Sequence, residues 1–249
     1  MSVEYSIRLL SAASRTEEIE GKNRNLVYLF GTTREGEAIA IRTPLLMPYF
    51  QVVEPTKDIL ANLEEKEDVE KLESQDLWID GSVKNCTKIT TSHPGKVPKI
   101  RDWLKNNGFK PLAADIPFHY RYLYDNDIGG CLTIKGDEIT KENYSCKVID
   151  AKEITKSENF ESDFRILSFD IENSIFERTI YCLSYCVKTS EGYVHEETLH
   201  GDEETLLKNF VKAINDHDPD IITGYNIDGY DLHLLIERCD VYGIEMRIG

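Results

Sequence analysis

The alternation of apolar and polar positions predicts a first part of the chain built mainly from short strands. Residues 7–13, 26–30 and 38–41 are runs in which apolar side chains dominate or alternate, a pattern typical of strands. The segment 31–36 begins and ends with glycine and favours a hairpin connection, because glycine accepts the backbone angles of tight turns. Residues 135–163 are polar and irregular, which predicts a loop region.

Three helices are predicted between these strands and the polar region. Thr56 is placed to cap a helix with a strongly acidic face. The apolar stripe of that helix comprises Ile59, Leu60, Leu63 and Leu72. A second helix follows Pro98 and stops at Asn107 and Gly108. Residues 115–118 form a turn into a short third helix.

From residue 165 onward, strands alternate with helices. The predicted strands are residues 165–169, 179–187, 193–199 and 220–223. Asp202 caps the first of two helices, and the second carries the apolar stripe Leu232, Leu235, Ile236 and Cys239. A three-strand meander followed by a helix, a strand and a helix begins a ribonuclease-H-like sheet. The predicted fold class is therefore α/β, with an α+β domain at 1–157 and a second domain at 158–249.

Composition is that of an ordinary globular protein. Charged residues make up 30% and hydrophobic residues 41% of the chain. The sequence contains neither an apolar run of about 18 residues nor a secretory signal pattern, so we expect a cytoplasmic, nucleoid-associated protein with no membrane partner. The six cysteines lack zinc-site spacing and are interpreted as small buried side chains in a reducing compartment. The net charge of −16 argues against tight, non-specific nucleic-acid binding by this chain alone.

Two segments carry candidate chemistry. Asp170 and Glu172 alternate with Ile171 along a strand, so both carboxylates point to one face of the sheet. Two adjacent acids repel each other unless a cation lies between them, and Mg²⁺ or Mn²⁺ prefers oxygen ligands. The alternative is a pair of solvent-facing acids at a strand end. The segment 225–231 contains turn-forming residues and ends in Asp231, which the macrodipole favours in the first turn of a helix.

These segments resemble motifs of one enzyme family. Residues 169–172 and 225–231 are similar to the first two exonuclease motifs of family B DNA polymerases, and the lead-in 218–222 is similar to theirs as well. Upstream, residues 93–101 and 115–118 resemble the N-terminal domain of the archaeal members. The resemblance covers nearly the whole chain. It identifies the chain as the N-terminal domain plus the first part of the 3′–5′ exonuclease domain.

The resemblance implies a role for each acid. Asp170 would bridge two Mg²⁺ or Mn²⁺ ions about 4 Å apart, and Glu172 would hold the ion that activates the attacking water. Asp231 would support the second ion. Asn226 and Tyr230 would position the frayed 3′ end of the DNA. The implied reaction is removal of a misincorporated nucleotide.

The chain also departs from the family pattern. A third exonuclease motif, Tyr-x-x-x-Asp, is expected after Asp231, but the sequence ends at Gly249. The resemblance then implies an incomplete exonuclease domain without the polymerising domains, inactive by itself. We expect either a fragment of a DNA-directed DNA polymerase or one subunit of a split polymerase. Its partners would be the template strand, the frayed 3′ end, the remainder of the polymerase and a sliding clamp bound through another part of the protein.

A non-catalytic function is implied by the N-terminal motifs. Archaeal family members capture template uracil in this domain, and the corresponding positions are Pro48, Val97, Ile116, Pro117 and Phe118. A tight apolar pocket accepts a flipped-out uracil and excludes the methyl group of thymine. A basic patch for template phosphates would comprise Lys96, Lys99, Arg101 and Lys105. The alternatives are a purely structural turn and core at these positions, or a single-stranded DNA- and uracil-binding module without chemistry.

Overall fold

A computed structural model describes residues 2–141 and 144–246. The chain divides into two compact units, one formed by residues 1–33 and 39–160 and the other by residues 34–38 and 161–249. Among the described residues, no helix is long and apolar enough to cross a bilayer. Each unit has its own hydrophobic core.

The first unit contains a closed barrel and a four-stranded sheet. Its strands are β1 (Ser2–Ile19), β2 (Lys22–Thr32), β3 (Ala38–Arg42), β4 (Tyr49–Val53), β5 (Val69–Ile79), β6 (Ser82–Thr91), β7 (Pro111–Leu112), β8 (Cys131–Ile139) and β9 (Lys147–Lys156). Its helices are α1 (Lys57–Glu64), α2 (Val97–Asn106) and α3 (Phe118–Asp125). The barrel runs in the order β1-β2-β3-β9-β8, and the sheet runs in the order β5-β6-β4-β7.

Strand β2 is apolar on both faces because each face meets a core. Val27 and Leu29 belong to the barrel's main apolar cluster, whereas Leu26 and Tyr28 belong to a second cluster. The Tyr28 ring stacks at 5.5 Å from that of Tyr144. Alternation normally exposes one face of a strand, so the continuous apolar run at 26–30 reflects burial on both sides.

The acidic helix predicted from Thr56 is shorter than expected. Thr56 does cap α1, accepting a hydrogen bond from the Ile59 amide, but the helix ends at Glu64 and the prediction that it reaches Leu72 was wrong. Leu72 lies in β5, where it pairs with Ile89 of β6. Cross-strand pairing overrides the helical preference of a short acidic segment, because packing contributes more than propensity.

The loop predicted for residues 135–163 was also wrong in part. Most of β8 and all of β9 lie there or at its border, and the two strands pair antiparallel. Ile134 and Ile149, which point inward, are fully buried in the barrel. The outward side chains are mostly polar and carry ion pairs such as Lys152 with Asp137, which masks the apolar alternation in the sequence.

A polar network ties several barrel segments together at Glu17. Arg42 donates to its carboxylate at 2.9 Å and Lys141 at 2.8 Å, and the Tyr28 hydroxyl donates to it as well. Burial alone would raise the pKa of Glu17, but these hydrogen bonds and the Arg42 charge lower it to about 2. Because the charged form is stabilised in the fold, the network contributes stability above the unfolded pKa and loses it as the pH falls towards 2.

The second unit is the predicted α/β sheet. Its elements are β10 (Ile166–Asn173), β11 (Ile180–Thr189), β12 (Gly192–His200), α4 (Glu203–His217), β13 (Ile221–Thr223), a π-helical turn (Ile227–Asp231) and α5 (Leu232–Val241). The strand order is β12-β11-β10-β13, with β10 antiparallel to β11 and parallel to β13. The α/β fold class is confirmed, and Asp202 caps α4 by accepting from the Thr205 amide.

Both helices of this unit share one core with one face of the sheet. The ring centroids of Phe169 in β10 and Phe210 in α4 lie 5.1 Å apart. Leu183 of β11 belongs to the same apolar cluster as Leu235 of α5. The opposite face of the central strands is polar. Asp170 and Ser184 are exposed there.

A buried carboxylate joins the ends of the two helices to the sheet. Glu203 is 5% exposed and accepts from the Ile180 amide at 2.7 Å, from Arg238 Nε at 2.8 Å and from the Tyr242 hydroxyl at 2.9 Å. Burial would raise the pKa of Glu203, but these donors lower it. A buried ion pair with its donors satisfied is costly to break from one side.

We predict that Glu203→Ala destabilises the second unit by about 3–5 kcal/mol, because Arg238, whose side chain is 14% exposed, is left without its counter-charge. Urea unfolding followed by far-ultraviolet circular dichroism reports this loss. Tryptophan fluorescence should not change, because Trp78 and Trp103 are the only tryptophans and both lie in the first unit.

The neighbouring Glu204→Ala is the matched control. Glu204 pairs with Lys208 one turn along α4 at 2.6 Å, on the exposed side of the helix, where such a pair contributes at most roughly 0.5 kcal/mol. Equal losses for Glu203→Ala and Glu204→Ala would contradict a special role for the buried carboxylate.

Candidate nuclease site and base pocket

The two acids of β10 lie on the exposed face of the central strand. Asp170 and Glu172 are exposed, while Phe169 before them and Ile171 between them are buried. The strict alternation follows from the strand pleat. The burial of the apolar partners fixes the direction of the carboxylates, because a one-residue slip in register would bury both charges.

The parallel neighbour β13 delivers the second segment to this position. Thr223 of β13 aligns with Ser168 of β10, so the chain leaves β13 at the level of Phe169 and Asp170. A Cβ at Gly224 would lie 2.5 Å from the Phe169 carbonyl oxygen. Only glycine therefore permits this close passage of the two backbones.

The turn after Gly224 is built by Asn226 and Gly229. Asn226 has a φ of 55°, in the left-handed region that asparagine tolerates, and its carbonyl accepts from the Gly229 and Tyr230 amides at 3.0 Å. A Cβ at Gly229 would lie 2.3 Å from Asn226 Oδ1. The turn brings Asp231 to the beginning of α5.

Asp231 is the buried member of the acidic set. It is 6% exposed, and burial raises the pKa of its carboxyl group, with the negative charge of Asp170 raising it further. Strand β10 and the π-helical turn that ends in Asp231 are in contact, so the strand and the turn bring Asp170 and Asp231 into the same part of the unit.

The donor set fits a hard divalent cation in chemistry. Asp170, Glu172 and Asp231 supply only carboxylate oxygens, the ligands that Mg²⁺ and Mn²⁺ prefer. Within residues 2–141 and 144–246, however, no three His, Cys, Asp or Glu side chains are close enough together to hold a metal ion. The structure thus brings Asp231 near Asp170 without forming a closed three-carboxylate cage.

Polar side chains flank the acids. Asn173 directly follows Glu172, and its Nδ2 donates to the Tyr230 hydroxyl at 2.9 Å. This contact links the end of β10 to the π-helical turn. Asn226 is exposed, and Tyr230 is 37% exposed. Asn173 was not among the predicted site residues, although its position directly after the acidic motif points to it.

A separate pocket of about 350 Å³ lies in the first unit. All five residues predicted for a base pocket line it: Pro48, Val97, Ile116, Pro117 and Phe118. Further lining residues that the sequence analysis had not assigned to it include Tyr49, Arg101 and Arg121. Pro48 and Phe118 are buried, so the pocket's floor is held by the core.

Tyr49 forms one side of the pocket between cationic groups. Lys88 Nζ lies 4.1 Å and the Arg121 guanidinium 4.6 Å from its ring centroid, at distances typical of cation–π contacts. Its hydroxyl donates to Asp125 at 2.8 Å. Arg121 donates to the Ala113 carbonyl at 2.8 Å. The adjacency of Tyr49 to Pro48 was the available signal for this residue.

The predicted basic patch is partly neutralised. Lys96 pairs with Asp68 at 3.0 Å, and Arg101 pairs with Asp102 at 2.8 Å. Lys99 and Lys105 are exposed on the same helix. The charge available to phosphates on this face is therefore smaller than the sequence alone indicates.

We predict that Gly224→Ala destabilises the second unit by about 1–3 kcal/mol, because the new methyl group collides with the Phe169 carbonyl and forces backbone movement. Urea unfolding followed by circular dichroism measures the loss. Gly130→Ala is the control, because a Cβ at Gly130 meets no atom within 4 Å. An unchanged stability of Gly224→Ala would show that the close passage of β13 and β10 tolerates a side chain.

Comparisons with known proteins agree with this geometry. A sequence model of the family described as "DNA polymerase family B, exonuclease domain" matches residues 176–248. The match includes the turn with Asp231 and begins after Glu172. A DNA polymerase of Archaeoglobus fulgidus is 35% identical over 217 residues, which is 81% of this chain and 27% of that protein.

Other relatives and a solved structure extend the likeness. A DNA polymerase of Pyrococcus glycovorans is 28% identical over 199 residues, covering 73% of this chain and 22% of that protein. The structure of the family B DNA polymerase from Pyrobaculum calidifontis matches with a TM-score of 0.79 and 26% identity, covering 98% of this chain and 33% of that chain. The chain thus spans between 22% and 33% of the length of these relatives. It belongs to the family B DNA polymerases and corresponds to their N-terminal domain and the first part of their exonuclease domain.

Proposed function

We propose that the second unit carries the first two acidic motifs of a 3′–5′ proofreading exonuclease within a DNA-directed DNA polymerase. The carrying observation is the exposed pair Asp170 and Glu172 on the central strand, which is in contact with the turn that follows β13 and ends in Asp231. A two-metal phosphodiester site needs carboxylates that converge on the ions. The substrate is the frayed 3′ end of DNA.

The proposed roles follow from position and chemistry. Asp170 and Glu172 would hold Mg²⁺ or Mn²⁺, with Asp231 supporting from the helix start. When bound, such ions would supply an activated water and would offset the charge that develops on the phosphate. Tyr230, held by Asn173, and the exposed Asn226 orient the terminal nucleotide. Such orientation is effective because a displaced phosphate loses its alignment with the attacking oxygen.

We predict that the chain binds Mn²⁺ weakly. Asp170→Asn should lower this affinity by a further factor of at least roughly ten, which corresponds to about 1.4 kcal/mol of binding free energy. The substitution preserves shape and removes the negative charge. Titration calorimetry measures both affinities.

Asp228→Asn is the matched control for charge. Asp228 is an exposed acid in the π-helical turn that ends in Asp231. Asp228→Asn therefore changes the net charge by the same amount as Asp170→Asn and leaves both acids of β10 in place. If Asp228→Asn reduced the heat as much as Asp170→Asn, the binding would reflect diffuse attraction and the proposed metal site would be wrong.

We also propose that the pocket of the first unit reads uracil in single-stranded template DNA. The supporting observation is that Pro48, Val97 and Phe118 line one pocket although they are far apart in sequence. Proline rings and buried apolar side chains make rigid walls, and rigid walls are what exclusion of a single methyl group requires. Arg121, which also lines the pocket, supplies a cation for the adjoining phosphates. Arg101 lines the pocket too, but it is paired with Asp102.

We predict that single-stranded DNA containing uracil binds more tightly than its thymine counterpart by about 1–3 kcal/mol, the scale of one excluded methyl group or one discriminated base contact. Val97→Gln should erase the difference by filling the half-buried wall position. Fluorescence anisotropy at fixed ionic strength measures both strands.

Val83→Gln is the matched control. Val83 is 63% exposed on β6 and does not line the pocket, so the same exchange there should leave the preference intact. Equal affinities of the unsubstituted chain for the two strands would refute uracil recognition while leaving the nuclease proposal standing.

A further inference from the structure

Helix α3 presents two tyrosines to solvent beside the base pocket. Tyr120 is 47% and Tyr124 is 66% exposed, although large aromatic side chains are usually buried or paired. They lie four residues apart, which puts them one above the other on one helix face. Among the described residues, the one ring contact of this pair is that of His119 with Tyr120, at 4.3 Å between centroids.

The same helix connects this face to the pocket. Phe118 and Arg121 both line the pocket. At about 100° per residue, Arg121 lies on the flank of the helix, between the buried side of Phe118 and Tyr122 and the exposed side of the tyrosines. A ligand that extends from the pocket past Arg121 therefore reaches the face of α3 that carries Tyr120 and Tyr124.

We propose that Tyr120 and Tyr124 form a stacking platform for the bases next to the one held in the pocket. The ligand is single-stranded DNA, and the inference rests on the proposed function of the pocket. Bases stack on exposed aromatic rings without sequence preference, and each such contact changes affinity on a scale of roughly 5- to 150-fold. A base reader also needs this property, because the neighbours of the captured base vary in sequence.

The surrounding charges favour a polyanion over an apolar protein segment. Lys88 and Arg121 lie 4.1 and 4.6 Å from the ring centroid of Tyr49, which lines the pocket. Arg101 and Asp115 also line the pocket, and Arg101 is paired with Asp102, so Lys88 and Arg121 are the cations on which this preference rests. Aromatic rings beside cations are the combination that binds single strands. Asp125 carries the opposite charge, and the Tyr49 hydroxyl donates to it at 2.8 Å, which holds this carboxylate against Tyr49.

The test measures absolute affinity for an all-thymine single strand, and not the preference for uracil. Tyr120→Ala and Tyr124→Ala should each weaken binding by about tenfold, while Tyr120→Phe and Tyr124→Phe should stay within about twofold of the unsubstituted chain. Tyr193→Ala is the matched control, because Tyr193 is 75% exposed on β12 of the other unit and should leave the affinity unchanged. Thermal unfolding of each variant confirms that the fold is retained.

A second arm replaces the nucleotides on both sides of a single uracil with abasic sites. The unsubstituted chain should lose affinity, and the Tyr120→Ala/Tyr124→Ala double variant should lose nothing further, because the contact is already absent. Alanine variants that bind as tightly as the unsubstituted chain would overturn the platform. The platform would also be overturned if the phenylalanine variants bound as weakly as the alanine variants, or if the double variant still lost its full affinity on the strand with abasic sites.

The two proposals fail separately. A lost uracil preference with intact tyrosine effects removes the pocket's selectivity and keeps a general single-strand surface. An intact preference without tyrosine effects keeps the pocket and removes the platform. Val97→Gln alters only the pocket wall. For thymine strands it should leave unchanged the ratio of affinities between the chain with Tyr120 and Tyr124 and the chain with alanine at these positions.

Discussion

The parallel pairing of β13 with β10 is the contact on which the candidate nuclease site depends. β13 is only three residues long, yet it fixes where the chain turns into α5. Gly224 passes so close to the Phe169 carbonyl that a side chain has no room. Because the turn leaves the sheet at this level, Asp231 reaches the neighbourhood of Asp170 from a different element. Sites assembled in this way are rigid, since each acid is held by its own backbone segment.

The sheet supports that site by dividing its two faces. One face of β10 is buried with α4 and α5 in a common core, and the other keeps its carboxylates in water. The buried Glu203 fastens both helices to the start of β11 through Arg238 and the Ile180 amide. Its negative charge is satisfied by hydrogen bonds and an ion pair, so burial does not neutralise it. Helix position and strand register are thereby coupled in the second unit.

The first unit contains a pocket that is lined by residues from several short elements. Pro48 and Phe118 belong to its packed interior, while Val97 opens α2 directly after the short helical turn Pro94–Lys96. Tyr49 is fixed by two cations and by Asp125. A pocket with such walls changes shape little when a ligand enters, because close-packed interiors deform only at a cost. This rigidity is what the proposed discrimination between uracil and thymine requires.

The sequence by itself determined the elements whose signals are local. The cap at Thr56, the cap at Asp202 and the alternation around Asp170 depend on neighbours within one turn or one strand, and the structure has all three. The sequence also supplied the residues of both candidate sites through motifs. Local signals stop where side chains are polar on one face, as in β9, or where an acidic helix gives way to a strand, as at Leu72.

Only the tertiary structure decided how distant residues meet. The barrel order β1-β2-β3-β9-β8 depends on pairing between strands far apart in the chain, and no periodicity encodes which strands pair. The same holds for Arg121 and Tyr49, for Asn173 and Tyr230, and for the ion pairs that neutralise Lys96 and Arg101. Hydrogen bonds and charges act over a few ångströms of space, whereas the sequence orders residues only along the chain.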